Sequence, residues 1–225
     1  MGLHHSPRII TNGLVLCLDA GSRKSYGGTG NVWRDLAGSN NGTLTNGPTF
    51  SSANGGSIVF DGTNDYISFN SLTTQSLNLT SSNGATISCW LRLTILNRWT
   101  GVVTFFSGSN VDIGWDIQPD NALRIWKNGT ITTVSVNLAS YNNTWTYFTL
   151  VSNSTGTIFY VNDSQVAKTS QTGNVTFTAG RNLMFGDHWD NPIQGNASTL
   201  LMHNRALTHA EIQQNYNATK GRFKL

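Results

Sequence analysis

Short apolar segments separated by asparagine- and glycine-containing turns recur along this chain and restrict its fold more than any other feature. Segment 85–93 shows the pattern best, because Ile87, Cys89 and Leu91 alternate with positions of the opposite face. A period of two residues is typical of a β-strand with one buried face. Turn signals follow at intervals of roughly 8 to 15 residues, as in antiparallel sandwiches. The pattern therefore predicts an all-β jelly-roll-like sandwich of two antiparallel sheets, built from roughly a dozen strands.

The composition agrees with an all-β chain. Among 225 residues there are 26 Asn, 28 Thr, 22 Ser and 23 Gly, beside 7 Trp, 6 Tyr and 10 Phe. Thr and the aromatic residues favour strands, whereas Asn and Gly favour tight turns. Only 11% of the residues are charged, but the aromatic content argues against disorder. These properties exclude an all-helical protein.

The acidic residues limit the chemistry that the chain can perform. There are ten Asp and a single Glu, Glu211. Retaining glycoside hydrolysis needs two carboxyl groups about 5 to 5.5 Å apart. Asp112, Asp116 and Asp120 follow one another at four-residue spacing, which separates neighbours on a strand by about 13 Å. We therefore expect no enzymatic activity.

Charge and cysteine content exclude further classes. The net charge is +3, and the 14 basic residues are scattered apart from Arg23-Lys24 and the C-terminal tail, unlike a nucleic-acid-binding surface. Cys17 and Cys89 each lie in an apolar segment, so we expect two buried thiols rather than a disulfide bond. Residues 1–7 contain no apolar region, and no apolar run approaches the roughly 18 residues of a membrane span. We expect neither a signal peptide nor a membrane partner.

The chain is predicted to divide into an arm, a domain and a tail. Residues 1–12 show no periodicity and form the N-terminal arm, 13–219 form the sandwich, and 220–225 form a tail in which basic and apolar residues alternate.

A single helix is indicated, over residues 209 to about 219. Thr208 and Glu211 fit a capping box at its start. Leu207 and Ile212 fit the hydrophobic staple that accompanies such a cap. We expect this helix to pack on the sandwich.

A loop between two predicted strands carries the candidate metal ligands. The apolar segments within 57–69 predict a β-hairpin with a five-residue loop. Asp61, Asn64 and Asp65 in this loop offer the hard oxygen ligands that calcium prefers. The alternative, which we favour, is that these side chains bond their own backbone and shape the turn. We expect no cofactor other than this candidate calcium ion.

Exposed aromatic residues are the candidate carbohydrate-binding groups. Sugar sites stack an aromatic ring on the apolar face of a pyranose and surround it with a few polar groups. Trp126 is out of phase with the apolar positions of its segment and is predicted to be exposed beside Arg124. Two loops add further candidates, namely Trp99 in one and Trp189, Asp190 and Asn191 in the other. The alternative for each Trp is a place in the core, which we expect for Trp115 and Trp145.

The two ends of the chain are predicted to form a docking surface. Pro7 gives the arm a kink and Arg8 gives it a cation, while Phe223 and Leu225 alternate with basic residues in the tail. Such alternation suits a short strand that buries one edge against an acidic partner. The alternative is that the arm packs on its own domain and that the basic residues stabilise the C-terminal end of the helix dipole.

Six segments resemble the motifs of one family in the same order along the chain. They are GLVLCLDA (13–20), FDGTNDYI (60–67), TISCWL (86–91), WTYFT (145–149), FYVND (159–163) and NRALTHAEI (204–212). The resemblance is to LamG-like jelly-roll domains of the concanavalin A-like lectin/glucanase superfamily, and it covers residues 13–216. The chain departs from the family pattern at 197–203, where an Asp is missing, and this departure weakens the case for calcium.

The family resemblance implies two packed antiparallel sheets and a use in adhesion or carbohydrate binding. Residues 7–70 and 203–223 also resemble structural proteins of marine tailed phages. We therefore expect a non-catalytic virion protein, either a capsid decoration or a tail or fibre component, assembled in the host cytoplasm. Its expected partners are other virion proteins in a homo-oligomeric or multi-copy assembly, together with a host-surface glycan. The alternatives are a free carbohydrate-binding lectin and, third, a glycoside hydrolase.

Overall fold

The computed structural model of the protein describes residues 7–69, 77, 79, 83–94, 97–107, 110–178, 182–187 and 191–225. The strands are β1 (Leu14–Asp19), β2 (Val32–Trp33), β3 (Gly42–Thr45), β4 (Thr49–Ser51), β5 (Ser57–Asp61), β6 (Tyr66–Ser68), β7 (Ala85–Leu93), β8 (Thr100–Ser107), β9 (Asn110–Ile117), β10 (Ala122–Lys127), β11 (Thr130–Asn137), β12 (Thr146–Asn153), β13 (Gly156–Val161), β14 (Ser164–Thr169), β15 (Asn182–Phe185) and β16 (Gln194–His203). The helix α1 spans His209–Thr219, and 3-10 turns span Ala53–Gly55, Leu138–Tyr141 and Lys220–Phe223.

The strands form two eight-stranded antiparallel sheets. Sheet A has the order β14-β13-β12-β7-β16-β5-β4, and β1 also pairs with β16. Sheet B has the order β11-β10-β9-β8-β15-β6-β3-β2. The predicted two-sheet jelly-roll sandwich with one short C-terminal helix is confirmed.

Aromatic rings join the two sheets in the core. Trp115 of sheet B lies 5.2 Å from Phe148 and 5.0 Å from Phe159 of sheet A, measured between ring centroids. All three side chains are buried, and large aromatic rings contribute most to such a core. The predicted core position of Trp115 is therefore confirmed.

The predicted hairpin within 57–69 is wrong. β5 pairs with β4 and β16 in sheet A, whereas β6 pairs with β3 and β15 in sheet B. The loop from Asp61 to Asp65 thus carries the chain from one sheet to the other. Phe60 and Ile67 point into the same core from opposite sheets. Two apolar strand segments around a short polar loop therefore give the same sequence pattern whether the strands form a hairpin or lie in different sheets.

The helix α1 covers the outer face of sheet A. Its bounds match the prediction, and Thr208 and Glu211 form the predicted capping box. Leu207 and Ile212 pack in one cluster with Val151 of β12. The aromatic ring of Tyr216 stacks on Trp90 of β7 at 5.7 Å.

The arm residues that the structure describes pack on their own domain. The Ile10 amide donates to Asn215 Oδ1 of α1 at 2.7 Å, and the Ile10 carbonyl accepts from His203 Nε2 at 2.9 Å. The Arg8 carbonyl accepts from the Gln214 side chain at 2.7 Å. The side chains of Pro7 and Arg8 are exposed.

The tail does not form the predicted strand. It continues from α1 into a 3-10 turn, and Phe223 is only 6% exposed. Its ring lies 4.3 Å from that of Trp90 and 4.6 Å from that of Trp145, so Phe223 is not available for docking. The expectation failed because the tail meets an apolar face of its own domain, which alternation along the tail does not reveal. Leu225 is 50% exposed.

Two further expectations concern membranes and thiols. No helix among the described residues is both long and apolar enough to cross a bilayer. Cys17 and Cys89 are buried free thiols, as predicted.

Trp145 is buried as expected, but it lies in the layer between sheet A and the tail rather than between the sheets.

Candidate functional site

A cation held between two indole rings lies on the outer face of sheet B. The guanidinium carbon of Arg124 is 4.2 Å from the ring centroid of Trp99 and 4.9 Å from that of Trp126. Cations attract the negative faces of aromatic rings, and the planar guanidinium also stacks on them. We call Trp99, Arg124, Trp126 and Asp116 the arginine-tryptophan cluster.

The carboxylate of Asp116 holds this cluster together. Arg124 donates from Nε to Asp116 Oδ1 at 2.7 Å and from Nη2 to Asp116 Oδ2 at 2.6 Å. Trp126 donates its indole N–H to Oδ2 at 2.7 Å. Since Asp116 is 4% exposed and Arg124 15% exposed at their side chains, the two charges neutralise each other in a partly dry site.

The local sequence explains why these side chains share one face. Leu123 and Ile125 of β10 belong to the core, so the residues that alternate with them, Arg124 and Trp126, point outward. The pairing of β9 with β10 then places Asp116 directly opposite Arg124. The alternation along β10 determines the face on which Arg124 lies, and the register between β9 and β10 determines that Asp116 is its partner.

The expectation that Trp126 is exposed is wrong. The residue is 4% exposed. Arg124 lies over the ring and Asp116 binds the indole nitrogen, and both contacts help to cover the indole. Trp99 is instead the accessible ring of the cluster, with 37% of the residue exposed.

Arg98 links the neighbouring loops to this cluster. It donates from Nη1 to the Gly62 carbonyl at 3.0 Å and from Nη2 to the Pro192 carbonyl at 2.9 Å. The Asn191 carbonyl accepts from the Gly101 amide at 2.7 Å. Thus the loops that contain Asn191 and Asp61 adjoin the segment that carries Trp99. Trp189 and Asp190 lie outside the described residues.

The candidate calcium loop uses its carboxylates on its own backbone. Asp61 Oδ1 accepts from the Thr63 amide at 2.7 Å, and Asp65 Oδ2 accepts from the Asp61 amide at 3.0 Å. The Asn64 carbonyl accepts from the Asn46 side chain at 2.8 Å. Burial raises the pKa of Asp65, while the bond from Asp61 opposes the shift. Across the residues that are described, no group of three His, Cys, Asp or Glu side chains could hold a metal ion. This geometry favours the turn-shaping role.

The carboxylates that could serve hydrolysis are held by different neighbours. Asp112 accepts from the Thr178 amide at 2.7 Å, and Asp120 accepts from the Ala122 amide at 3.0 Å. Glu211 accepts from both terminal nitrogens of Arg205, at 2.6 and 2.9 Å, and these bonds lower its pKa to about 2. A general acid must instead hold its proton near neutral pH.

Sequence reasoning placed Trp99, Arg124 and Trp126 among the candidates but missed Asp116 and Arg98 as site residues. The spacing pattern pointed to Asp116 only as a member of a carboxylate series. Its role depends on the register between β9 and β10, and the role of Arg98 depends on loops that are distant in sequence.

Two packed antiparallel sheets, with a helix over one outer face and a tryptophan-bearing cluster on the other, define a lectin-like jelly-roll domain. The model of the family Laminin_G_3, of the concanavalin A-like lectin/glucanases superfamily, matches residues 61–213. The chain therefore belongs to this family. No curated protein sequence matches it.

Solved structures share the fold at low sequence identity. The receptor-binding domain of a botulinum neurotoxin C/D mosaic serotype matches with a TM-score of 0.71 and 15% identity, over 92% of this chain and 51% of that chain. Trypanosoma rangeli sialidase in complex with the inhibitor DANA matches with a TM-score of 0.70 and 13% identity, over 95% of this chain and 35% of that chain.

A third structure matches along almost its whole length. It is domain 4 of AbnA, an extracellular GH43 arabinanase of Geobacillus stearothermophilus, in complex with arabinotriose. Its TM-score is 0.68 and its identity is 16%, over 90% of this chain and 98% of that chain. The chain spans only about a third of the sialidase and half of the toxin chain. At these identities the likeness establishes the fold alone.

Proposed function

We propose that this protein is a non-catalytic carbohydrate-binding domain whose binding surface is centred on Trp99. The observation that carries the proposal is an exposed indole that Arg124 and Asp116 hold in place on the outer face of sheet B. The matched arabinanase domain was solved in complex with arabinotriose. That complex supports sugar binding as a use of the fold.

The cluster supplies both kinds of contact that sugar recognition needs. An indole gives a rigid apolar surface for the ring hydrogens of a pyranose. Arg124 bonds Asp116 through Nε and Nη2, which leaves Nη1 to donate to a sugar hydroxyl. Because Asp116 neutralises Arg124, the site is suited to a neutral sugar rather than to a strongly charged one.

The assignment as a binding protein rather than an enzyme rests on the carboxylates. Backbone amides or an arginine occupy each carboxylate that could serve hydrolysis, those of Asp112, Asp116, Asp120 and Glu211. Glu211, the single Glu of the chain, also caps α1, and its low pKa is unsuited to a general acid.

We further propose that the domain belongs to a tailed-phage virion, as a capsid decoration or a tail or fibre component. Support comes from the resemblance of residues 7–70 and 203–223 to such proteins. Display in many copies converts weak sugar binding into strong attachment through avidity, and we propose that other virion proteins and a host-surface glycan are the partners. A free lectin is the alternative, and immunogold labelling of purified particles distinguishes the two.

A glycan array with the full chain tests the binding site. Trp99→Ala is expected to lose binding to the recognised glycan, whereas Trp99→Tyr retains part of it. Val32→Ala is the matched control, because Val32 is 39% exposed on β2, at the edge of the same sheet that lies farthest from β10 and β11. Wild-type binding by Trp99→Ala contradicts the proposed site, and release of reducing sugar from any bound glycan contradicts the non-catalytic assignment.

A further inference from the structure

A cleft of about 380 Å³ lies between the loop that follows β1 and the segment that joins β4 to β5. Ten residues line it, and half of them are glycines: Gly21, Gly27, Gly28, Gly55 and Gly56. None of the lining residues belongs to the arginine-tryptophan cluster. The cleft is therefore a separate candidate site, and its volume lies at the small end of the range for ligand pockets.

One side of the cleft is aromatic. The rings of Tyr26 and Phe50 lie 5.5 Å apart at an angle of 45°. Tyr26 is 4% exposed and donates its hydroxyl to the Gly30 carbonyl at 2.7 Å, so its ring is held in place. Phe50 is half-buried and presents the remaining apolar surface.

Glycines bring the main chain close to the cleft. Gly28 adopts a φ of 91°, and a Cβ at this position would lie 3.6 Å from the ring of Phe50. Gly56 adopts a φ of 113°, and a Cβ there would lie 2.6 Å from the Ala20 carbonyl oxygen. The positive φ favours glycine at both positions, and the close approach to Ala20 also requires it at Gly56. The peptide groups of Gly27 and Gly28 form no hydrogen bond within the described part of the chain and lie beside the aromatic surface. Those of Gly21, Gly55 and Gly56 already bond other groups of the domain.

The cleft carries one uncompensated positive charge. Arg23 lines it, and within the described part of the chain this residue forms neither a hydrogen bond nor an ion pair. A second guanidinium, that of Arg222, lies next to Gly21 and Gly55. Arg222 donates to Asp19 at 2.8 Å and is therefore neutralised.

We propose that this cleft binds a single sugar residue that carries a carboxylate, such as a uronic acid. The ring hydrogens of the sugar pack on Phe50, the peptide groups of Gly27 and Gly28 bond its hydroxyls, and Arg23 pairs with its carboxylate. A guanidinium and a carboxylate form two parallel hydrogen bonds, which makes arginine selective for this group. The inference goes beyond the proposed function, because it requires nothing from Trp99.

Gly27 allows the cleft to be filled without strain. It lines the cleft, its φ is ordinary, and a Cβ there would meet no atom within 4 Å. Gly221 shares both properties but does not line the cleft. Gly27→Leu and Gly221→Leu are therefore a matched pair of test and control variants.

Isothermal titration of the full chain with sodium glucuronate, and separately with glucose, tests the proposal. We expect glucuronate to bind the wild type, the Gly221→Leu variant and the Trp99→Ala variant with equal affinity. Gly27→Leu is expected to weaken glucuronate binding by about tenfold or more, because the leucine side chain fills the cleft. Arg23→Gln is expected to have an effect of similar size, because the charge-assisted pair with the carboxylate is lost. Glucose is expected to bind the wild type more weakly than glucuronate.

The proposal is overturned if the wild type fails to bind glucuronate or binds glucose equally well. It is also overturned if Gly27→Leu binds glucuronate like the wild type. If Trp99→Ala rather than Gly27→Leu abolishes glucuronate binding, the acidic sugar occupies the arginine-tryptophan cluster and the second site does not exist. Loss of neutral-glycan binding in Trp99→Ala alone concerns the proposed function and leaves the cleft unaffected.

Discussion

The indole nitrogen of Trp90 in β7 donates a hydrogen bond to Thr219 Oγ1 at 2.7 Å, and this bond fastens the last residue of α1 to sheet A. The ring of Tyr216 stacks on the same indole, and the ring of Phe223 packs against it at an angle of 32°. The C-terminal segment thereby occupies the outer face of sheet A. The proposed carbohydrate site lies on the opposite face of the sandwich, the outer face of sheet B.

Phe223 is expected to stabilise the domain. Phe223→Ala removes a buried ring that contacts Trp90 and Trp145, and we expect it to lower the free energy of unfolding by about 3 kcal/mol. Urea denaturation followed by tryptophan fluorescence measures the loss. Leu225→Ala is the control, because Leu225 is 50% exposed. Equal stability of the two variants would show that the tail does not pack as described.

Asp116 is expected to be essential for the arginine-tryptophan cluster. Asp116→Ala leaves the guanidinium of Arg124 largely buried without its partner, at a cost of about 3 kcal/mol. Asp120→Ala is the control, because Asp120 is exposed and its replacement is expected to cost less than about 1 kcal/mol of stability. Thermal unfolding by circular dichroism compares the two variants. A small effect of Asp116→Ala would mean that Arg124 finds another partner or reaches solvent.

The Arg205–Glu211 pair is expected to make stability depend on acidic pH. The pKa of Glu211 is lowered from 4.5 to about 2, chiefly by the bonds from Arg205. As the pH falls, the carboxyl group of Glu211 is therefore protonated in the unfolded state before it is protonated in the folded state. The contribution of the ion pair to stability is complete above pH 4.5 and is lost as the pH falls towards 2. Since both side chains are about a quarter exposed, solvent screening limits the contribution to about 1 kcal/mol.

Glu211→Gln tests this pH dependence. Gln still fits a capping box, but it has no titrating carboxyl group. The difference in unfolding free energy between wild type and variant is expected to shrink as pH falls from 4.5 to about 2. A difference that stays constant over this range would contradict the assignment of the low pKa to Glu211.

The two thiols are expected to resist modification in the folded protein. Burial, aided by Asp19 and Asp35, raises the pKa of Cys17 to about 12, and burial also raises the pKa of Cys89. The thiolate is the reactive form, so a disulfide reagent at pH 8 should label neither thiol until urea unfolds the chain. Rapid labelling of the native protein would show that one of these segments opens readily.

Local patterns determined α1 and the strand faces. The capping box of Thr208 and Glu211 and the staple of Leu207 and Ile212 involve residues within five positions of each other, so the helix could be predicted with its bounds. The outward direction of Arg124 and Trp126 followed from the two-residue period of β10. These features depend on neighbours along the chain, which a sequence displays directly.

Only the tertiary structure decided which strands pair and what covers each outward face. The apolar residues on either side of Asp61–Asp65 suit a hairpin and a crossing between sheets equally well. The choice depends on pairing with other strands, of which β16 is far away in sequence. The register that places Asp116 opposite Arg124 helps to bury Trp126. Phe223 is buried because it meets Trp90 of β7 and Trp145, which precedes β12. Burial is a property of the assembled surface, since it requires partners that alternation along one strand cannot specify.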